Sequence, residues 1–131
     1  MTYASEIRKI AELLVFAEGL TVEDMMDRVL DIKAMLEDWD SVKDGLVLTK
    51  KGINKLRGKF PESIMAGVRT VPEVLKRLQK AMALNKDLAP IYHIIEKKWS
   101  NLPDGAMDLI KVLDQTYIAF EALTAKPSRR S

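Results

Sequence analysis

The chain has 131 residues, 47% of them hydrophobic and 31% charged, with a net charge of +2 and no cysteine. That length fits one domain with a single ordinary core, and the composition is neither poor enough in apolar residues for disorder nor rich enough for a membrane protein. Without cysteine there can be no disulfide, thiolate nucleophile, iron–sulfur ligation or thiolate zinc site.

The first residues, Met1-Thr2-Tyr3-Ala4-Ser5-Glu6, enter an amphipathic pattern directly, without a basic and then apolar leader. No stretch approaches the ~18–20 apolar residues that span a bilayer. The expectation is a cytoplasmic chain with no membrane partner. Charge is unevenly spread: residues 1–40 carry −6, residues 41–86 carry +8, and residues 87–131 balance. An acidic helix beside a basic one accounts for this, and so does an anionic partner for the basic stretch.

The elements follow in chain order. A first helix is predicted from about Tyr3 to Glu18, with Ile7, Ile10, Leu14 and Ala17 on one face and Gly19 as a left-handed terminator. Thr21 is the expected N-cap of a second helix, its hydroxyl accepting from an amide near Asp24, while Glu23, Asp24 and Asp27 suit the positive helix end. Val22, Met25, Val29, Ile32, Leu36 and Trp39 return at steps of three and four. Met26, Leu30 and Met35 widen that stripe, so this helix is expected to meet more than one neighbour.

Residues 40–60 read two ways. Val42, Leu46, Thr49, Ile53, Leu56 and Phe60 have helical spacing, and a helix broken near Gly45 is the favoured reading. Gly45, Gly52 and Gly58 weaken it by about 1 kcal/mol each relative to alanine, and Leu46-Val47-Leu48-Thr49 also suits a short strand. Pro61 closes the segment, and a helical turn near Ser63–Val68 is expected to follow. Thr70-Val71-Pro72-Glu73 combines an N-cap hydroxyl, an early proline and a capping-box glutamate. It opens a helix with Val71, Leu75, Leu78 and Met82 inward and Asn85 ending it. Asp87 is expected to cap the next helix, where Leu88, Ile91, Ile95 and Trp99 face inward. After a turn at Ser100–Gly105, a last helix from about Ala106 to Leu123 buries Leu109, Ile110, Leu113, Tyr117 and Phe120. The predicted fold is all-α, an irregular antiparallel bundle of five or six helices with a short β segment near residues 46–49 as the alternative. Residues 1–125 would form the helical domain and residues 126–131 a basic flexible tail.

One internal likeness stands out. Thr21-Val22-Glu23-Asp24-Met25-Met26-Asp27-Arg28 parallels Thr70-Val71-Pro72-Glu73-Val74-Leu75-Lys76-Arg77, and shared capping chemistry explains most of the match.

No catalytic constellation emerges. His93 is the single histidine and, with Glu96 three positions on, forms a pair common on helices. Glu23, Asp24, Asp27 and Asp31 lack the Glu-x-x-His motifs of a di-metal bundle and the spacing of a calcium loop. Phosphate-binding glycine motifs and a nucleophile elbow are absent. The reading is a non-enzymatic chain with no cofactor and no metal. Leu46-Val47-Leu48-Thr49-Lys50-Lys51-Gly52-Ile53 is similar to the strand-then-helix edge of a winged-helix domain. The preceding helix, which would have to read DNA, is acidic and would repel it, so no family is assigned.

Two kinds of contact surface are therefore expected. The first is a protein-interaction surface serving an adaptor or small subunit of a larger assembly, with another protein or a second copy as partner. Its candidates are Met25, Met26, Trp39 and Trp99, and an exposed apolar patch is expected on the second or last helix. The second is a nucleic-acid regulator's basic segment 43–59, with Lys50, Lys51, Lys55, Arg57 and Lys59 as phosphate contacts. A pocket near His93 and Tyr92 is a third, minor reading.

Overall fold

The computed structural model describes residues 2–124, so the basic tail expected at 126–131 lies outside the described residues. Among them the chain forms α1 (Thr2–Glu18), α2 (Val22–Leu36), β1 (Val42–Lys43), a tight 3-10 turn (Asp44–Leu46), β2 (Val47–Leu48), α3 (Lys50–Arg57), α4 (Glu62–Met65), α5 (Val71–Ala83), α6 (Ala89–Trp99) and α7 (Ala106–Thr124). The architecture is mostly helical, as expected, with one small antiparallel hairpin. The two short helices α3 and α4 add to the five long ones.

Both expected start signals are present. The Thr21 hydroxyl accepts from the Asp24 amide while the Asp24 carboxylate accepts from the Thr21 amide, each at 3.0 Å. Thr70 and Glu73 repeat that box at the head of α5. Each such cap is worth about 1 kcal/mol. The likeness between the two segments extends to their arginines. Arg28 donates to the Lys59 carbonyl and Arg77 to the carbonyls of Ile64 and Ala66, so the two guanidiniums hold opposite ends of the segment around α4.

The core is one cluster built by α2, α5, α6 and α7 with the hairpin and α4. Helix α2 packs most extensively on α7, where Met25, Val29 and Ile32 meet a core that includes Leu109, Leu113 and Phe120. Trp99 is fully buried, and its indole N–H donates to the Thr116 hydroxyl at 2.9 Å. That hydroxyl donates in turn to the Val112 carbonyl, so the largest core side chain leaves no polar atom unpaired.

Residues 42–48 correct the favoured helical reading, while Lys50–Arg57 are helical as expected. Val42 pairs with Leu48 and Lys43 with Val47 across a turn in which Gly45 (φ 75°) and Leu46 (φ 62°) are both left-handed. Glycine takes that conformation freely, whereas for leucine it is costly. Burial of the Leu46 side chain, 1% exposed, offsets it. Leu48 donates its amide to Arg69, and Val47 bridges Thr70, which ties the hairpin to the start of α5. Thr49 belongs to no helical stripe; it caps α3 by accepting from the Gly52 amide. Gly52 is needed there because a Cβ would fall 2.3 Å from the Ser41 carbonyl oxygen.

Two expected caps also act differently from expectation. Gly19 is not left-handed, the only positive-φ glycines being Gly45 and Gly67 among the described residues. Asp87 does not cap α6 through its side chain. Asn85 does that work from the preceding corner, accepting at Oδ1 from the Asp87 and Leu88 amides at 2.7 and 3.1 Å. Its Nδ2 donates to the carbonyls of Ala17 and Leu20 at 2.7 and 2.9 Å. One buried carboxamide, 6% exposed, thus fills its hydrogen-bonding capacity and joins the end of α1 to the α5–α6 corner. Replacing Asn85 by alanine removes four hydrogen bonds and leaves the Asp87 amide and the Leu20 carbonyl without their partner. Urea denaturation of Asn85→Ala is expected to show a loss of about 2–3 kcal/mol, and a loss below about 0.5 kcal/mol would contradict this role.

Candidate functional site: an unpartnered helix face

Helix α1 leaves the core early. Only its last turns touch it: Leu13 and Phe16 pack partly against the cluster, and Ala17 and the following Leu20 are buried. The face carrying Tyr3, Ile7, Ile10 and Leu14 faces solvent instead of a neighbour, with exposures of 82%, 65%, 57% and 44%. These positions step by four, three and four, the spacing of a helix–helix seam. At about 100° per residue they fall within one narrow sector, beside the sector of Leu13 and Ala17 that meets the body. Periodicity therefore located the face correctly but could not tell that it lacks a cover.

Two apolar grooves border this helix. One, of about 610 Å³, opens where α1 diverges from α5 and α6, and is lined by Leu13, Lys76, Lys80, Ala83, Leu84 and Tyr92 among others. The other lies on the opposite flank, between Val15 and Phe16 of α1 and Pro61 at α4.

The residues singled out from the sequence separate sharply. Met25 and Trp99 are fully buried and Met26 packs partly against the core, so the first two offer no surface to a partner. Trp39, 93% exposed, is the opposite case. It lies beyond the end of α2 next to the hairpin, and with Val42, Met107 and Ile110 it borders a shallow groove. The patch expected on the last helix is interrupted, because Met107 and Ile118, both exposed, have Lys111 and Asp114 between them on the same side. On α2 only Leu30 stands out, at 43% exposure.

Of the five basic candidates, Lys51 and Lys55 fold onto an acidic neighbour. Lys55 Nζ sits 2.5 Å from Asp38 Oδ2, and Lys51 reaches Asp38 and Asp40 at 3.8 and 3.5 Å. Asp38 also accepts from the Ser41 hydroxyl and the Asp40 amide. Lys50, Arg57 and Lys59 are exposed and no carboxylate pairs with them among the described residues. Asp31 lies with Lys55 and Lys59 along the trough between α2 and α3, which breaks the positive track that a phosphate backbone would follow.

His93 is largely exposed and faces Glu96 at 3.7 Å; Tyr92 and Glu96 line the groove beside α1, but His93 does not. Among the described residues no group of three or more His, Cys, Asp or Glu side chains could hold a metal ion, and no helix is long and apolar enough to cross a membrane. Comparison with protein-family models, with curated proteins and with solved structures found no match for this chain.

The Asp38 network makes an electrostatic prediction. The Lys55 ammonium, then the Asp40 amide and the Ser41 hydroxyl, hold the Asp38 carboxyl far below the usual carboxylate range. A depressed folded-state pKa contributes stability above the unfolded value of about 4, and that stability is lost as pH falls toward the folded value. Asp38→Asn is therefore expected to be less stable than wild type at pH 7, with the gap narrowing as pH falls from 5 to 2. A gap independent of pH in urea titrations would show that the pairing does not matter.

Proposed function

We propose that the protein is a non-catalytic interaction module whose contact surface is the exposed face of α1. The observation that carries this reading is the placement of Tyr3, Ile7, Ile10 and Leu14 in solvent on a single helix face. Scattered exposed hydrophobic residues are ordinary on any surface, but a contiguous row at seam spacing, with apolar grooves beside it, is what a partner helix covers. Fully burying each of these side chains is worth roughly 1.5–3 kcal/mol. A helical segment of this length without tertiary packing is only marginally stable in water, so a cover would stabilise the helix as well as the contact.

The exposed Trp39 is a second apolar anchor of the sort enriched at interface centres. Its neighbours Lys43 and Asp44 make that groove more polar than the surroundings of α1. The ion pairs of Lys51 and Lys55 weaken the alternative of a nucleic-acid regulator.

The test compares partners captured by crosslinking in cells between wild type, the double variant Ile7→Glu/Ile10→Glu and the double variant Lys50→Glu/Arg57→Glu. Loss of the specific partner band only in the α1 variant is expected, with unchanged thermal unfolding, since both isoleucines are exposed. Retention of that band in the α1 variant would remove this surface from the function.

A further inference from the structure

The face of α1 fits a second copy of the same chain, laid antiparallel. We infer that two molecules pair through α1, each placing the free half of its helix over the groove beside the anchored half of the other. This rests on the reading of α1 as the contact surface and names its occupant.

Three features support self-pairing in this orientation. Tyr3, Ile7, Ile10 and Leu14 are spaced so that, in an antiparallel pair, Tyr3 faces Leu14 of the second copy and Ile7 faces its Ile10. Every layer is then apolar. Ala4 and Ala11 lie along one flank of the row and meet each other across the pair, which lets the helices approach closely without steric conflict.

The other flank carries Glu6 and Leu13. Antiparallel pairing sets Glu6 of one copy at the level of Leu13 of the other, and Leu13 lines the groove together with Lys76, Lys80 and Glu96, two ammonium groups to one carboxylate. The acidic residue on the free half thus arrives beside two ammonium groups. The steering is complementary and not merely neutral.

Interface size also favours this orientation. A stable pair of proteins uses about 20 or more residues a side, which the four positions of the row cannot supply alone. A parallel pair would set free half against free half and leave the groove empty. The antiparallel pair adds Ala83, Leu84 and Tyr92 from the groove to the contact on both sides.

Sedimentation equilibrium and single-cysteine crosslinking test the inference, and the lack of native cysteine makes the latter clean. A dimer is expected for the full chain, with Ile7→Glu weakening it by at least about a hundredfold. Glu6→Lys should weaken association by about three- to fivefold, and Lys76→Glu/Lys80→Glu combined with it should recover the loss. Under mild oxidation Tyr3→Cys mixed with Leu14→Cys should give a disulfide dimer. Tyr3→Cys alone should not, because like positions lie about 16 Å apart in the antiparallel pair.

A monomer up to millimolar concentration overturns the inference, as does crosslinking of Tyr3→Cys to itself. If the chain is monomeric while Ile7→Glu/Ile10→Glu still abolishes partner capture, the interaction reading stands and self-pairing falls. If the chain dimerises and Ile7→Glu leaves that dimer intact, self-pairing through α1 falls; if the α1 variant also retains partner capture, the interaction reading falls with it.

Discussion

The Asn85 carboxamide decides where α1 leaves the body of the protein. By donating to Ala17 and Leu20 and accepting from Asp87 and Leu88, it pins the last turn of α1 to the corner between α5 and α6. Among the described residues no comparable link holds the other end, where residues from Tyr3 to Glu12 are all exposed. A helix fixed at one end over a core that is already closed has to project its remaining apolar residues into water. The surface proposed to function is in this sense a consequence of one buried hydrogen-bonding side chain.

The closed core is what makes the projection informative. Met25, Val29, Ile32, Leu75, Leu78, Trp99, Leu113 and Phe120 are all essentially without solvent contact, and the Trp99–Thr116 bond pairs the indole N–H inside the core. The rest of the fold does not need α1's outer face for its stability. Residues held for folding alone would be expected inside; hydrophobic residues kept outside at a regular spacing point to a contact that forms later.

Much of the architecture was legible in the sequence. Thr21 with Asp24 and Thr70 with Glu73 declared two helix starts through local hydrogen bonds that need no tertiary information. The stripes of α2 and α5 became core because each has hydrophobic residues on one side and charge on the other. The hairpin was harder to read, since Val42, Leu46 and Thr49 keep helical spacing by coincidence. What overrides that spacing is the pair of left-handed residues Gly45 and Leu46 and the close approach of Gly52 to Ser41. Asn85 was recognisable as a terminator, but its reach to Ala17, 68 positions away, is tertiary and leaves no trace in local pattern.

The candidate site was half legible. Ile7, Ile10 and Leu14 share a face by arithmetic, yet periodicity describes a side chain's direction and not what it meets. Among the contact residues expected from the sequence, Trp39 is exposed while Met25 and Trp99 went inside, because residue type cannot separate an interface anchor from a core plug. Hydrogen exchange followed along α1 as a function of protein concentration probes the central claim most directly. At high dilution the amides from Tyr3 to Glu12 should exchange rapidly while those around Ala17 and Leu20 stay protected, and protection should spread to the free half as concentration rises. Uniform protection of the whole helix at every dilution would contradict the account.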